Sequence, residues 1–317
     1  MNILITGGAG FIGSNFILQL DKKYPQYTIV NYDKLTYSGF KKHLKDVNKK
    51  SNYFFIQGDI LDKKLLKKSI QKYKITAIIN FAAETHVDRS ISNAEIFVKT
   101  NVLGTQTLLQ IARETKIRKF HHISTDEVYG QLEKTGSFSE LDPVNPRNPY
   151  SASKAGADMM VMAYFHTYSL PVIITRSSNN YGPRQYPEKI IPYFIKKILE
   201  NKNIPIYGKG ENIRDWIYVD DNCEAIDLVF HKGKIGKIYN IGGKHEITNL
   251  LLAKKLLKII GKSEKLITFV PDRPGHDFRY SLDTTKMEKE LKWKAKTDLN
   301  EGLKKTIDWY KNSLHKK

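Results

Sequence analysis

Residues 2–13 read Asn2-Ile3-Leu4-Ile5-Thr6-Gly7-Gly8-Ala9-Gly10-Phe11-Ile12-Gly13. The run Ile3-Leu4-Ile5 has the continuous apolar character of a strand buried on both faces. The glycines that follow satisfy G-x-G-x-x-G at Gly8, Gly10 and Gly13, and G-x-x-G-x-x-G from Gly7. Glycine is needed where the chain turns tightly and where backbone must approach a pyrophosphate. Ile12–Asp21 has helical periodicity, so the glycines open a helix whose free N–H groups and positive dipole end suit phosphate. A glycine-rich turn alone can serve packing only, but strand, turn and helix together point to a dinucleotide site. Asp33 closes the second apolar run, Thr28–Tyr32, at about the 20-residue spacing where a carboxylate takes the adenosine ribose diol. A carboxylate there repels a 2′-phosphate, so NAD is expected over NADP; Lys34 next door pulls the other way.

Outward from this unit the pattern repeats. Strand-like runs recur at Tyr53–Ile56, Ala77–Phe81, Phe120–Ser124 and Val172–Thr175, with helical stretches at Asp62–Tyr73, Ala94–Thr115 and Tyr150–Tyr168. Such alternation implies βαβ units and an α/β, Rossmann-type doubly wound parallel sheet. Beyond about Ser177 the segments shorten and Pro183, Pro187, Pro192, Pro205, Gly208 and Gly210 punctuate them. The expected division is residues 1–176 as an NAD-binding domain and 177–317 as a smaller C-terminal substrate-binding lobe. Some segments, Lys237–Ile241 among them, are expected to return to the main sheet.

Composition narrows the class. Of 317 residues, 40% are hydrophobic and 27% charged, ordinary for a globular protein. No apolar run reaches membrane-spanning length, and the start lacks a basic, then apolar, secretory pattern. One cysteine, Cys223, excludes an internal disulfide, so a cytoplasmic location is expected. The net charge of +19 raises nucleic acid as a partner, but lysines recur in nearly every surface-type stretch, which reads as solvated faces. No nucleic-acid or membrane partner and no metal is expected.

Tyr150-Ser151-Ala152-Ser153-Lys154 places a phenol and an ammonium one helical turn apart. An ammonium beside a phenol stabilises the phenolate, so a lowered Tyr150 pKa and a general-base role are expected. Upstream, Ser124-Thr125-Asp126-Glu127-Val128-Tyr129-Gly130 sets two carboxyls just past a strand end. Elimination of water needs a base at one carbon and an acid at the next, and this pair offers both.

With these motifs the chain resembles, over roughly residues 1–310, the dTDP-glucose 4,6-dehydratases of the extended short-chain dehydrogenase/reductase family. The Thr-Asp-Glu triplet is the most telling segment. The resemblance implies oxidation at C4 of dTDP-glucose, elimination of water across C5 and C6, and hydride return to C6, a hydro-lyase reaction with NAD regenerated. Tyr150 is then the base on the C4 hydroxyl, Thr125 a hydrogen-bond partner of its oxygen, Glu127 the C5 base, Asp126 the C6 acid and Lys154 the ribose anchor.

The same resemblance implies cofactor contacts from Gly7, Gly10, Phe11, Ile12, Gly13, Asp33, Lys34, Leu35, Thr36, Asp59, Ile60, Ala82, Ala83, Thr85, Thr100, Tyr150, Lys154 and Asn180. It implies substrate contacts from Thr85, Thr125, Asn179, Lys189, Ile190, Pro205, Ile206, Tyr207, Arg214, Asn249, Asp272, Arg273 and His276. Arg214, with its guanidinium, is expected on a diphosphate. Two positions depart from the family pattern: Phe40 stands where Asn is common, and Phe278 interrupts an Asp-Arg-Arg-Tyr run. The second leaves UDP-glucose open beside dTDP-glucose, and a UDP-sugar 4-epimerase or decarboxylase remains the rival reaction. A homodimer is implied, bundled through 94–115 and 150–168, where Ala152, Ala155, Gly156 and Ala157 allow close approach.

Overall fold

The computed structural model describes residues 1–272 and 276–314. In chain order its strands are β1 (Asn2–Thr6), β2 (Thr28–Asp33), β3 (Tyr53–Gln57), β4 (Ala77–Asn80), β5 (Lys119–Thr125), β6 (Val172–Ser177), β7 (Asn179–Tyr181), β8 (Ile204–Tyr207), β9 (Ile213–Tyr218), β10 (Ile238–Ile241), β11 (Glu246–Thr248) and β12 (Ile267–Val270). A seven-stranded sheet runs β10-β6-β5-β4-β1-β2-β3, every pairing parallel. Side chains alternate across it. Ile3, Ile5, Ala77, Ile79 and Ile173 join the core under the helices Phe11–Lys23 and Val219–Lys232. Leu4, Val30, Ile78, Val172 and Ile174 join the opposite core, which holds Leu66, Leu108 and Val161 from the helices Lys63–Lys72, Thr105–Glu114 and Pro149–Tyr168. With both faces covered, these strands read as unbroken apolar runs.

After β1 the chain builds β2 and β3 on one side, then returns to β4 on the other. A crevice opens outside the carboxyl ends of the strands at that reversal. The expected return at 237–241 is β10, paired with β6. The smaller lobe holds β7-β9-β11 and β8-β12, packed with the helices Ile190–Leu199, Asn249–Ile260 and Leu299–Leu314 around Phe194, Trp216, Leu256 and Leu303.

Residues 94–115 are not one regular helix. Ala94–Phe97 is α-helical, Val98–Gly104 is a π-helix, and Thr105–Glu114 is α-helical again. In the widened turn Asn101 accepts from Glu84 N (2.8 Å) and donates to Glu84 O (3.0 Å) and Ser153 Oγ (2.8 Å). A widened turn of this kind recurs at functional sites, where it re-aims side chains. Of the small residues of Pro149–Tyr168, Ala155 and Ala157 are buried and a Cβ on Gly156 would stand 3.3 Å from Val102, so these three serve packing within the chain, while Ala152 is exposed. No helix among the described residues is long and apolar enough to cross a membrane.

Two glycines set the loop after β1. Gly7 has φ +70°, and a Cβ there would stand 2.6 Å from Ala82 N. A Cβ on Gly13 would stand 2.5 Å from Gly7 O and 2.8 Å from Gly8 Cα, both backbone. The Gly13→Ala protein is therefore expected to lose about 1–3 kcal/mol of stability to overpacking, read by denaturant unfolding; an unchanged midpoint would contradict this account of the loop.

Candidate active site

The segments that leave the carboxyl edge line one cavity. Gly7, Gly10, Phe11, Ile12 and Gly13 form one wall, Asp33, Lys34 and Thr36 a second, and Asp59, Ile60, Ala82, Ala83, Thr85 and Thr100 a third. Thr125, Asp126, Glu127, Tyr150 and Lys154 lie further along the same cavity, with Asn179, Asn180 and Lys189 from the smaller lobe. Leu35 is not among the lining residues; its backbone is left-handed (φ 57°) and its N–H donates to Asp33 Oδ1 at 2.7 Å.

The dinucleotide end fits the group its sequence implied. A Cβ on Gly10 would find only Gly7 O within 4 Å, at 3.2 Å, so bare backbone faces the cavity at the helix start. Asp33 ends β2 with its carboxylate fixed by Ala9 N (2.8 Å) and Leu35 N (2.7 Å). Burial pushes its pKa up, and those two N–H donors push back. Lys34 is engaged by Asp59, Nζ to Oδ2 2.8 Å. That ion pair occupies the cation that would otherwise favour a 2′-phosphate.

At the chemical end β5 delivers Thr125, Asp126 and Glu127 at its carboxyl tip, and the helix Pro149–Tyr168 delivers Tyr150 and Lys154. That helix starts sharply because Asn148 caps it: its Oδ1 accepts from Ser151 N (2.9 Å), and Ser151 Oγ accepts from Asn148 N (3.2 Å). Thr125 Oγ donates to Asp126 Oδ1 (3.1 Å), accepts from Glu127 N (3.3 Å) and hydrogen-bonds the Tyr150 phenol. Asp126 is almost fully buried, and burial first, then the Glu127 charge, hold its carboxyl well above the usual range. The carboxyl is therefore protonated where an ordinary aspartate is ionised. Asp126 Oδ2, Asn179 Oδ1 and Asn180 Oδ1 are buried with no protein hydrogen-bond partner, which leaves the Asp126 hydroxyl free to donate and the two amide oxygens free to accept in the cavity.

The expected lowering of Tyr150 is not found among the protein's own groups. Burial, then Glu127, push its phenol up, outweighing the Thr125 hydrogen bond. The reason is visible at Lys154. It is only 4% exposed, donates its Nζ proton to Ile123 O (2.7 Å), and burial lowers its own pKa to about 8.

The remaining sequence-assigned substrate positions gather away from this cavity. Ile190 starts the helix Ile190–Leu199. Pro205, Ile206 and Tyr207 form β8, with Ile206 buried in the lobe core. Arg214 is buried with its donors on the carbonyls of Ile213 (2.7 Å), Phe278 (3.2 Å) and Asp277 (2.9 Å), so it braces the 277–278 backbone rather than facing the cavity. Asn249 opens the helix Asn249–Ile260, its N–H on Asn212 O (3.0 Å). Asp272 pairs with His276 at 2.7 Å, and the His276 ring lies 6.2 Å from that of Tyr207. Arg273 lies outside the described residues. At the two departures, Phe40 stacks on Tyr186 (5.9 Å), and Phe278 N donates to Gln131 Oε1 (3.0 Å). Sequence reasoning passed over Glu84, Tyr186 and Glu188, which also line the cavity; each adjoins or nearly adjoins an assigned position, the one signal that could have found them.

Comparison with known proteins gives this geometry a lineage. A family model described as GDP-mannose 4,6 dehydratase matches residues 4–306. The low-salt glycan biosynthesis protein Agl12 of Haloferax volcanii is 49% identical over 98% of each chain. A dTDP-glucose 4,6-dehydratase of Streptomyces niveus is 47% identical over 99% of this chain and 94% of its own. The crystal structure of DesIV, a dTDP-glucose 4,6-dehydratase of Streptomyces venezuelae solved with NAD and dTDP bound, superposes with a TM-score of 0.96 at 45% identity, covering 99% of this chain and 98% of that one. The chain therefore belongs to the GDP-mannose 4,6-dehydratase family, among the dTDP-glucose 4,6-dehydratases.

Proposed function

We propose that this protein is an NAD-dependent dTDP-glucose 4,6-dehydratase, releasing water and dTDP-4-keto-6-deoxyglucose. The observation that carries the reading is the pair Asp126 and Glu127 at the tip of β5, beside Tyr150 and with Asp126 held protonated. A 4-epimerase or a decarboxylase has no need of an acid for a C6 hydroxyl.

NAD, when bound, supplies the hydride acceptor for C4 and the donor for C6. Gly10 and Gly13 at the helix start would hold its pyrophosphate, Asp33 the adenosine ribose, Lys154 the nicotinamide ribose and Asn180 the nicotinamide. The Lys34–Asp59 ion pair supports NAD over NADP. Tyr150 takes the proton of the C4 hydroxyl while Thr125 hydrogen-bonds the C4 oxygen. The 4-keto group acidifies C5, and Glu127 removes that proton. Asp126 protonates the C6 hydroxyl, which leaves as water, and Glu127 returns its proton to C5. Residues 1–176 with β10 serve most of the cofactor and carry the reacting groups, and the rest mainly serves the sugar nucleotide through Asn179, Lys189 and the segments around Tyr207, Asn249 and His276. A cytoplasmic location fits the single, buried Cys223.

Purified protein given dTDP-glucose without added cofactor is expected to form product lighter by one water, read by mass spectrometry. UDP-glucose is expected to react more slowly; equal rates would move the base preference away from thymine, and no water loss from either would sink the reading. The Asp126→Asn protein is expected to lose about 10²–10⁴-fold in water loss, the usual reach of a positioned acid. Oxidation at C4 should survive, seen as reduced-nicotinamide absorbance without product; loss of both together would contradict the division of roles.

The chain also pairs with a second copy. Ile96, Val98 and Leu103 are 41–53% exposed, and Met159 and Tyr168 each 47% exposed, on segments that pack together in the monomer. The Leu103→Glu/Met159→Glu protein is expected to sediment as a monomer where the parent is a dimer; an unchanged dimer would place the interface elsewhere.

A further inference from the structure

A strap of the smaller lobe, residues 184–189, bridges the cavity between β7 and the helix Ile190–Leu199. Both of its ends are held. Arg184, in the left-handed region (φ 71°), donates Nη1 to Asn15 Oδ1 at 2.7 Å. Gln185 donates Nε2 to Asn180 O (2.9 Å), and its carbonyl accepts from the Tyr310 phenol. At the far end Lys189 O accepts from Tyr193 N (2.9 Å) as the helix begins. Pro187 stiffens the middle by fixing one backbone angle.

From this anchored strap three side chains reach the sheet side. Glu188 Oε2 accepts from Arg89 Nη2 at 3.2 Å, and the same guanidinium lies 3.7 Å over the Tyr37 ring. Arg89 N donates to His86 Nδ1 (3.3 Å), so the neutral imidazole carries its proton on Nε2, which stands 3.7 Å from Glu188 Oε2. Lys189 Nζ donates to Thr85 O at 2.8 Å. The Tyr186 ring stacks on Phe40 (5.9 Å) and meets Tyr37 edge-on (5.4 Å). The loop under Tyr186 folds against the ribose carboxylate, since a Cβ on Gly39 would stand 3.0 Å from Asp33 Oδ1. The strap therefore crosses from the Asp33 end of the cavity to the 85–89 loop, and Tyr186, Glu188 and Lys189 all line the space beneath it.

We propose that Glu188 is the latch of this strap: its ion pair with Arg89 holds 184–189 across the cavity and keeps NAD inside through the whole catalytic cycle. The inference rests on the dehydratase reading. There the hydride taken from C4 is given back to C6, so a cofactor that left between the two transfers would strand an oxidised sugar. Retention is thus part of the reaction, and Glu188 is a positioning residue that acts through the strap. Glu188 is 17% exposed and Arg89 48%, which shields the pair more than an open surface bridge.

The test reads cofactor release. Protein loaded with isotope-labelled NAD is diluted into excess unlabelled NAD, and the label still bound is followed by rapid desalting. Glu188→Gln and Arg89→Gln are each expected to release label about three- to fivefold faster than wild type, the reach of one partly shielded ion pair. The Arg89→Gln/Glu188→Gln protein is expected to release no faster than either single variant, because the same bond is lost in all three. With dTDP-glucose and no added NAD, turnover by the single variants should decay with time and hold steady once NAD is supplied. Wild-type release in both single variants, or effects that multiply in the double variant, would overturn the latch. A wild-type protein that takes up no NAD would overturn the cofactor reading, and the latch with it, so the two failures are distinct results.

Discussion

β1 pairs on one side with β2 and on the other with β4, and both pairings are parallel. Strands so paired end at a common edge, and the chain must leave that edge in loops. Six of those exits, at 7–13, 33–36, 58–60, 82–85, 124–127 and 178–180, meet in one cavity. Neither the glycine turn nor the Thr125-Asp126-Glu127 tip is a site alone. Register brings them together: Thr6 lies opposite Tyr32 and Asn80, Asn80 opposite His122, and Thr125 opposite Ser177. One polar row, Thr6 to Asn80 to His122, uses the same register to run a hydrogen-bonded line across β1, β4 and β5.

Burial then sets the chemistry, and it acts with opposite sign on acids and bases. It raises Asp126 and Tyr150 and lowers Lys154, in each case as the largest cause. For Asp126 this suits an acid. For Tyr150 it opposes a base, and the protein's own groups do not reverse it; the proposed base needs further positive charge, which oxidised nicotinamide carries. At Lys154 the opposing influence is the charge of Asp158, one turn along the same helix and itself bound by Arg176.

What could be read from sequence was local. The glycines, Asp33, the acid pair and the Tyr150–Lys154 spacing each lie within a turn or a strand end, where residue type and spacing fix geometry. What escaped depended on partners distant in the chain. The π-helix at Val98–Gly104 goes with Asn101 binding the Glu84 backbone, seventeen residues away. Arg214 carries a guanidinium fit for a diphosphate, and part of its donor set is engaged by the carbonyls of 277 and 278. Asp158 looks like an ordinary polar helix residue until β6 sets Arg176 against it. Ile206 shows the same limit, since an alternating strand such as β8 does not announce which face is core.

The most direct test follows one hydrogen. dTDP-glucose carrying deuterium at C4 is given to the purified protein, and the product is examined by mass and by NMR. The account predicts a product lighter by one water with the deuterium moved to C6. Deuterium retained at C4 with no loss of water would contradict it and assign the site to epimerisation.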